Sequence, residues 1–271
     1  MIEIGVDPVA FTIGTHEVRW YGIIVSIAVA VMVLWAYRHV SKIKETLSAP
    51  PDIMLAPVGI ASGIAGAKLV HVWESWHYYV EHPAEVFSGG GLAIYGGIIG
   101  ATLGIWLYMR FSNRGKEKIR DFFAVTDFIA PGIILTQAIG RLGCTINGCC
   151  YGKPASDWLP WSVIYTHPNS YAPLNIPLHP TQVYEIIFAL AAFGILLKLV
   201  GRLKPPGSVF MVYLIMYSAW RIGVGFWRYA DAYFAFGLSQ AQIISIVVLA
   251  GSLFIYFYRR RRYSEESHQA V

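Results

Sequence analysis

The chain has 271 residues, of which 56% are hydrophobic and only 14% charged, and its mean hydropathy is +0.51. A soluble domain carries about 25% charged residues, so an ordinary water-soluble globule is excluded as the leading class. The net charge of +5 could suit nucleic acid, but the basic residues flank apolar runs, where they report membrane orientation beside anionic lipid, and nucleic acid is set aside as a partner.

Residues 1–19 carry Glu3, Asp7, Glu17 and Arg19 without a basic leader and apolar core, so no cleavable signal peptide is expected. Apolar runs near the roughly 20 residues that cross a ~30 Å hydrocarbon layer then recur. They predict spans at about 20–37, 54–73, 91–109, 122–143, 183–200, 208–227 and 240–258. Each must be helical, because lipid offers no partners for backbone N–H and C=O groups. Gly59, Gly63 and Gly66 in the second span and Gly96, Gly97, Gly100 and Gly104 in the third suit close helix packing. The expected fold class is therefore an all-α polytopic membrane protein of about seven transmembrane helices, organised as one integral-membrane domain over 1–271.

Orientation follows from Lys and Arg placement. Alternate loops and the tail collect Arg38, Lys42 and Lys44, then the 110–120 group, then Lys198, Arg202 and Lys204, and finally Arg259 to Arg262, which is 15 of the 21 basic residues. The opposite side holds Arg19, Lys153 and Arg228. The basic side is read as cytoplasmic, which puts the N-terminus outside and the C-terminus inside. The outer side then receives the acidic, His-bearing 74–88 loop and a long proline-broken stretch at about 147–179. Trp158, Trp161, Tyr165 and Tyr171 suit that stretch to the lipid–water boundary.

Several residues at membrane depth could carry chemistry. A charge there costs at least about 2.5–3.5 kcal/mol and faces a partner or a wet cavity. Arg141 lies in GRLGCTINGCCYG (140–152), where guanidinium suits bidentate capture of phosphate; the bland alternative is an arginine snorkelling to the interface. Arg221, in YSAWRIGVGFWR (217–228), has no acidic residue within one turn, and its counter-ion is either Asp127 or a lipid phosphate. Lys68 is a third intramembrane cation. Gly140, Gly143, Gly148 and Gly152 permit turns and close approach. Cys144, Cys149 and Cys150 lack the second pair that zinc needs, so no metal is expected; they form a disulfide from Cys144 or serve as small apolar side chains. HPTQVYE (179–185) opens the fifth span as an ordinary helix start, and Glu185 within it needs a cationic neighbour. Tyr21 in RWYG and Tyr95 in GGLAIYGGIIG (90–100) put phenols near the outer ends of their spans.

Taken in order, these motifs resemble the bacterial phosphatidylglycerol–prolipoprotein diacylglyceryl transferases, from DPVAFTIG and RWYG at 7–22 through to YSAWRIGVGFWR. The resemblance implies transfer of diacylglyceryl from phosphatidylglycerol to the lipobox cysteine of a prolipoprotein signal peptide, in the bacterial cytoplasmic membrane, with no cofactor. It implies Tyr21, Arg141, Gly152 and Arg221 as functional positions, with Lys68 where the family often has arginine and Tyr95 where it often has histidine. Cys144, Cys149 and Gly225 also depart from the usual pattern. Alternatives are a family paralogue with altered or no activity, a lipid or solute transporter using the same cations, and a membrane thiol-redox protein using the cysteines.

Overall fold

A computed structural model describes residues 1–14, 16–46, 54–74, 76–87, 94–111, 118–156, 158–230 and 233–269. The start of GGLAIYGGIIG (90–93) and the loop with Arg114 and Lys116 therefore lie outside the described residues. Eight α-helices occur among them: α1 (Trp20–Thr46), α2 (Leu55–Glu74), α3 (Trp76–Glu81), α4 (Ile94–Phe111), α5 (Lys118–Asn147), α6 (Thr181–Leu199), α7 (Ser208–Val224) and α8 (Gln240–Gln269). Each of the seven apolar runs contains one of these helices, and the eighth helix is a short one inside the 74–88 loop. Four of the helices are long and apolar enough to cross a membrane, at Trp20–His39, Phe123–Asn147, Thr181–Leu199 and Gln240–Glu265, while Ser208–Val224 is a shorter apolar helix.

The chain is not helical throughout. Four short strands, β1 (Ile2–Ile4), β2 (Val9–Ile13), β3 (His16–Arg19) and β4 (Val163–Tyr165), form two separate pairs. β2 and β3 make an antiparallel hairpin just before α1, and β1 runs parallel to β4 with Ile2 opposite Val163 and Ile4 opposite Tyr165. The chain remains mostly helical, and these strands add to that class; at three to five residues they are too short to leave a periodic trace.

Two compact units emerge, Met1–His39 with Val125–Val271, and Val40–Ala124. In the first, Ala130, Ile134 and Ala138 of α5 meet Ala189, Ala192 and Leu196 of α6 and Val209 and Tyr213 of α7 in a small-residue core. Apolar side chains on the other faces stay exposed, Ile187 and Phe254 among them, as lipid-facing positions do. Trp35 Nε1 of α1 donates to the Phe128 carbonyl of α5 at 3.0 Å. A second small core joins Val163, Tyr165, Ala172 and Leu178, so the 147–179 stretch is an ordered, packed segment.

In the second unit α2 and α4 pack closely. A Cβ at Gly66 would lie 2.4 Å from the Gly96 carbonyl oxygen, and one at Gly100 would lie 2.4 Å from that of Ser62. The glycine-rich spans therefore use small residues to bring two backbones together, as their composition suggested.

Asp127 corrects one expectation. Its carboxylate accepts from the backbone N–H groups of Gly207 at 2.7 Å and Phe210 at 2.9 Å, so it caps the first turn of α7. Arg221 lies in the last turn of the same helix, about 20 Å away at 1.5 Å per residue. Asp127 is thus a helix cap and not the counter-ion of Arg221.

Candidate active site

The site forms around the end of α5 and the start of α6. Asn147 closes α5, and Gly148 and Cys150 turn the chain through left-handed backbone conformations, with φ of 72° and 61°. Two buried side chains from the first turn of α6 hold this turn. Thr181 Oγ1 donates to the Cys150 carbonyl and Gln182 Nε2 to the Cys149 carbonyl, both at 2.9 Å. From the outer segment, the Tyr165 hydroxyl donates to the Thr145 carbonyl at 3.0 Å. Backbone bonds complete the assembly. Lys153 N donates to the Trp227 carbonyl at 2.7 Å, Tyr229 N to that of Tyr151 at 3.2 Å, and His179 N to that of Lys153 at 3.1 Å.

Gly152 lies within this lacing, bridged to Arg228, and a Cβ there would meet the His179 carbonyl oxygen at 2.3 Å. The structure thus gives Gly152 a packing role: only glycine lets residues 151–153 run between the strand-like segments at 177–179 and 227–229. His179 is half-buried, its Nδ1 has no hydrogen-bond partner among the described residues, and burial lowers its pKa below the ordinary 6.5.

The lacing brings three guanidiniums around one carboxylate. Glu185, 7% exposed, forms ion pairs with both Arg141 and Arg228, the latter at 2.9 Å. Arg141 therefore has an internal partner. The same contact supplies the cationic neighbour that Glu185 was expected to need. Arg141 also donates through Nη1 to Cys144 Sγ at 3.7 Å. Arg221 lies close enough to feel the charges of Arg228, Glu185 and Arg141, yet among the described residues it makes no hydrogen bond or ion pair. One carboxylate cannot neutralise three guanidiniums, and the surplus positive charge is concentrated on Arg221.

Tyr21, at the start of α1, packs on Gly143, where a Cβ would come within 3.3 Å of its Cα and ring. It lies within electrostatic range of Arg141 and of all three cysteines. Tyr21, Arg141, Arg221 and Gly152 thus share one region of the first unit. Lys68 stands in the second unit, where its Nζ donates to the Tyr79 hydroxyl at 3.4 Å and lies over that ring. Tyr95 opens α4 in the same unit, and its side chain lies outside the described residues.

Sequence reading missed Arg228, which counted only as an outer-loop basic residue, and the pinning roles of Thr181 and Gln182. Arg228 lies past the end of α7 and is placed by its bridge to Gly152, a pairing that helical spacing does not announce. The structure also accounts for Gly225. A Cβ there would lie 2.6 Å from the Gln242 side chain of α8, which is itself fixed by donation to the Ile222 carbonyl at 3.0 Å and acceptance from Ser239 N at 2.9 Å. The space beside residue 225 is filled by that amide. All three cysteines are free thiols, so the disulfide expected as one alternative is not formed.

Comparison with known proteins identifies the family. Residues 8–258 match the family described as prolipoprotein diacylglyceryl transferase. A phosphatidylglycerol–prolipoprotein diacylglyceryl transferase of Dehalococcoides mccartyi strain 195 is 42% identical over 265 residues, covering 98% of both chains. The protein of the same name from Cupriavidus pinatubonensis is 35% identical over 96% of this chain and 94% of its own. That from Clostridium tetani is 33% identical over 92% and 96%. A match along nearly the whole chain places this protein in the prolipoprotein diacylglyceryl transferase family.

Proposed function

We propose that this chain transfers the diacylglyceryl group of phosphatidylglycerol to the lipobox cysteine thiol of a prolipoprotein, releasing glycerol phosphate. The observation that carries the reading is the cluster of Arg141, Arg221 and Arg228 around Glu185, with Arg221 making no hydrogen bond or ion pair among the described residues. Such a site suits an anionic headgroup, and the relatives' names supply the substrates. The reaction breaks the bond between glycerol carbon and phosphate oxygen. The substrate thiolate attacks that carbon, the C–S bond forms, and the electron pair leaves on the phosphate oxygen. Charge growing there is stabilised by guanidiniums already in place. The nucleophile belongs to the substrate, so no cysteine of this chain need attack.

Arg221 and Arg141 are assigned to the phosphate, Gly152 to the lipid site and Tyr21 to the reacting groups; for Lys68, in the second unit, the family resemblance alone supports a role with phosphatidylglycerol. Tyr95 is the positional candidate to accept the thiol proton. The working arrangement is a seven-span protein of the bacterial cytoplasmic membrane, N-terminus outside, with the 147–179 segment on the outer face.

Two measurements test the reading. The chain should restore growth to a bacterium depleted of its own diacylglyceryl transferase. In detergent, with phosphatidylglycerol and a lipobox peptide, Arg221→Gln should lower turnover by about 10²-fold, the size of one lost oxyanion donor. Arg221 is the cleaner target because no ion pair among the described residues is lost with it. Arg141→Lys keeps the charge but loses the planar fork, and should cost on the order of tenfold. Wild-type turnover in Arg221→Gln, or a loss matching only the fraction unfolded, would leave the arginines as structural residues.

A further inference from the structure

The proposed reaction leaves Cys144, Cys149 and Cys150 without a task, yet the fold gathers them. Their three sulfurs all lie within 4.8 Å of one another, Cys144 buried and the other two half-buried. The positions are preset: Cys144 sits in the last turn of α5, Cys150 is held in a left-handed turn, and the carbonyls of Cys149 and Cys150 are fixed by Gln182 and Thr181. Sequence spacing argued against a metal because it counted four ligands for tetrahedral zinc. Three sulfurs at this separation suit a different coordination. With metal–sulfur bonds of about 2.3 Å, a trigonal centre spaces its sulfurs about 4 Å apart.

We propose that Cys144, Cys149 and Cys150 form a three-sulfur site for one soft, thiophilic cation, best fitted by Cu(I). Thiolate selects soft metals, and Cu(I) accepts three ligands where zinc prefers a fourth. No further His, Cys, Asp or Glu joins the cluster among the described residues. Three thiolates around a monovalent ion carry excess negative charge, and the site supplies compensation. Arg141 donates to Cys144 Sγ at 3.7 Å, and the positive charges of Arg228 and Arg141 bear on Cys150. Occupancy would draw these guanidiniums toward sulfur, beside the groups assigned to the lipid phosphate.

The test uses the full chain, reduced and purified in detergent without oxygen, and titrated with Cu(I) against bicinchoninate as competitor. One copper per chain should be retained, and X-ray absorption should show three sulfur neighbours at about 2.3 Å. Cys149→Ser should leave two sulfurs and weaken retention at least tenfold, and Cu(I) should raise the thermal midpoint of the wild type but not of this variant. The triple Ser variant should retain none, and if it does not fold, Cys149→Ser and Cys150→Ser measured singly decide the matter. Equal retention by wild type and Cys149→Ser would overturn the assignment. So would a two-sulfur copper centre in the wild type, tighter retention of Zn(II) than of Cu(I), or a disulfide among these cysteines that persists in the reduced preparation. None of these readouts depends on transfer activity.

Discussion

Glu185 serves two guanidiniums at once, and that shared pairing sets what each arginine can do. Removing a carboxylate from a buried pair leaves uncompensated charge and costs about 3–5 kcal/mol when solvent is excluded. Here the Arg141 and Arg228 side chains keep 19% and 14% exposure, so Glu185→Gln should destabilise by less, about 2–3 kcal/mol, read as a lower thermal midpoint in detergent. The same change frees both arginines for anions, so the variant should bind glycerol phosphate more tightly while holding it in poorer geometry. An unchanged midpoint would mean that the pair contributes nothing to folding. His179 gives a pH signature of its own. Burial lowers its pKa in the folded protein, so the unfolded chain binds protons more readily. Stability is then fully present above about 6.5 and falls as the pH drops through that value. Thermal midpoints measured from pH 8 to pH 5 should decline more in the wild type than in His179→Gln, and parallel profiles would argue against this role.

At the scale of elements, the buried Asp127 ties the middle of the protein to the start of α7. Asp127→Ala would orphan N–H groups of Gly207 and Phe210 and should cost about 1–3 kcal/mol. Amide exchange should then accelerate in the first turn of α7 and stay unchanged at its far end near Arg221; uniform loss of protection would point to global unfolding instead. The helices themselves were legible in the sequence, because a membrane span needs an apolar run and a strand of three residues announces nothing. Gly66 and Gly96 were legible as packing residues for the same reason, since small side chains in apolar helices have few other uses. The partners of the charged residues were not. Asp127 meets residues some 80 positions away, and Glu185 meets Arg228 43 positions on, distances over which charge pattern carries no pairing information. Gly152 was noticed for its residue type, but its packing reason was not legible, because the backbone it must clear arrives with His179.

For the whole molecule, topology is the property on which the proposed reaction depends. The bias of Lys and Arg toward alternate loops and the tail predicts Arg259 to Arg262 in the cytoplasm and the 147–179 segment outside. Reporter fusions after residue 262 and within 147–179 should report opposite compartments; the same compartment for both would refute the arrangement and move the site to the wrong face for an exported substrate. The lacing of residues 151–153 with 177–179 and 227–229 also has a consequence in time. Ribosomes add about 5–20 residues per second, so α5 is synthesised seconds before Glu185 exists, and Arg228 follows only after a comparable delay. Through that interval the nascent chain holds an arginine whose protein counter-charge has not yet been made. The site is thus completed late in synthesis, and a chain that stops before residue 185 leaves Arg141 to whatever the translocation machinery or the surrounding headgroups can offer.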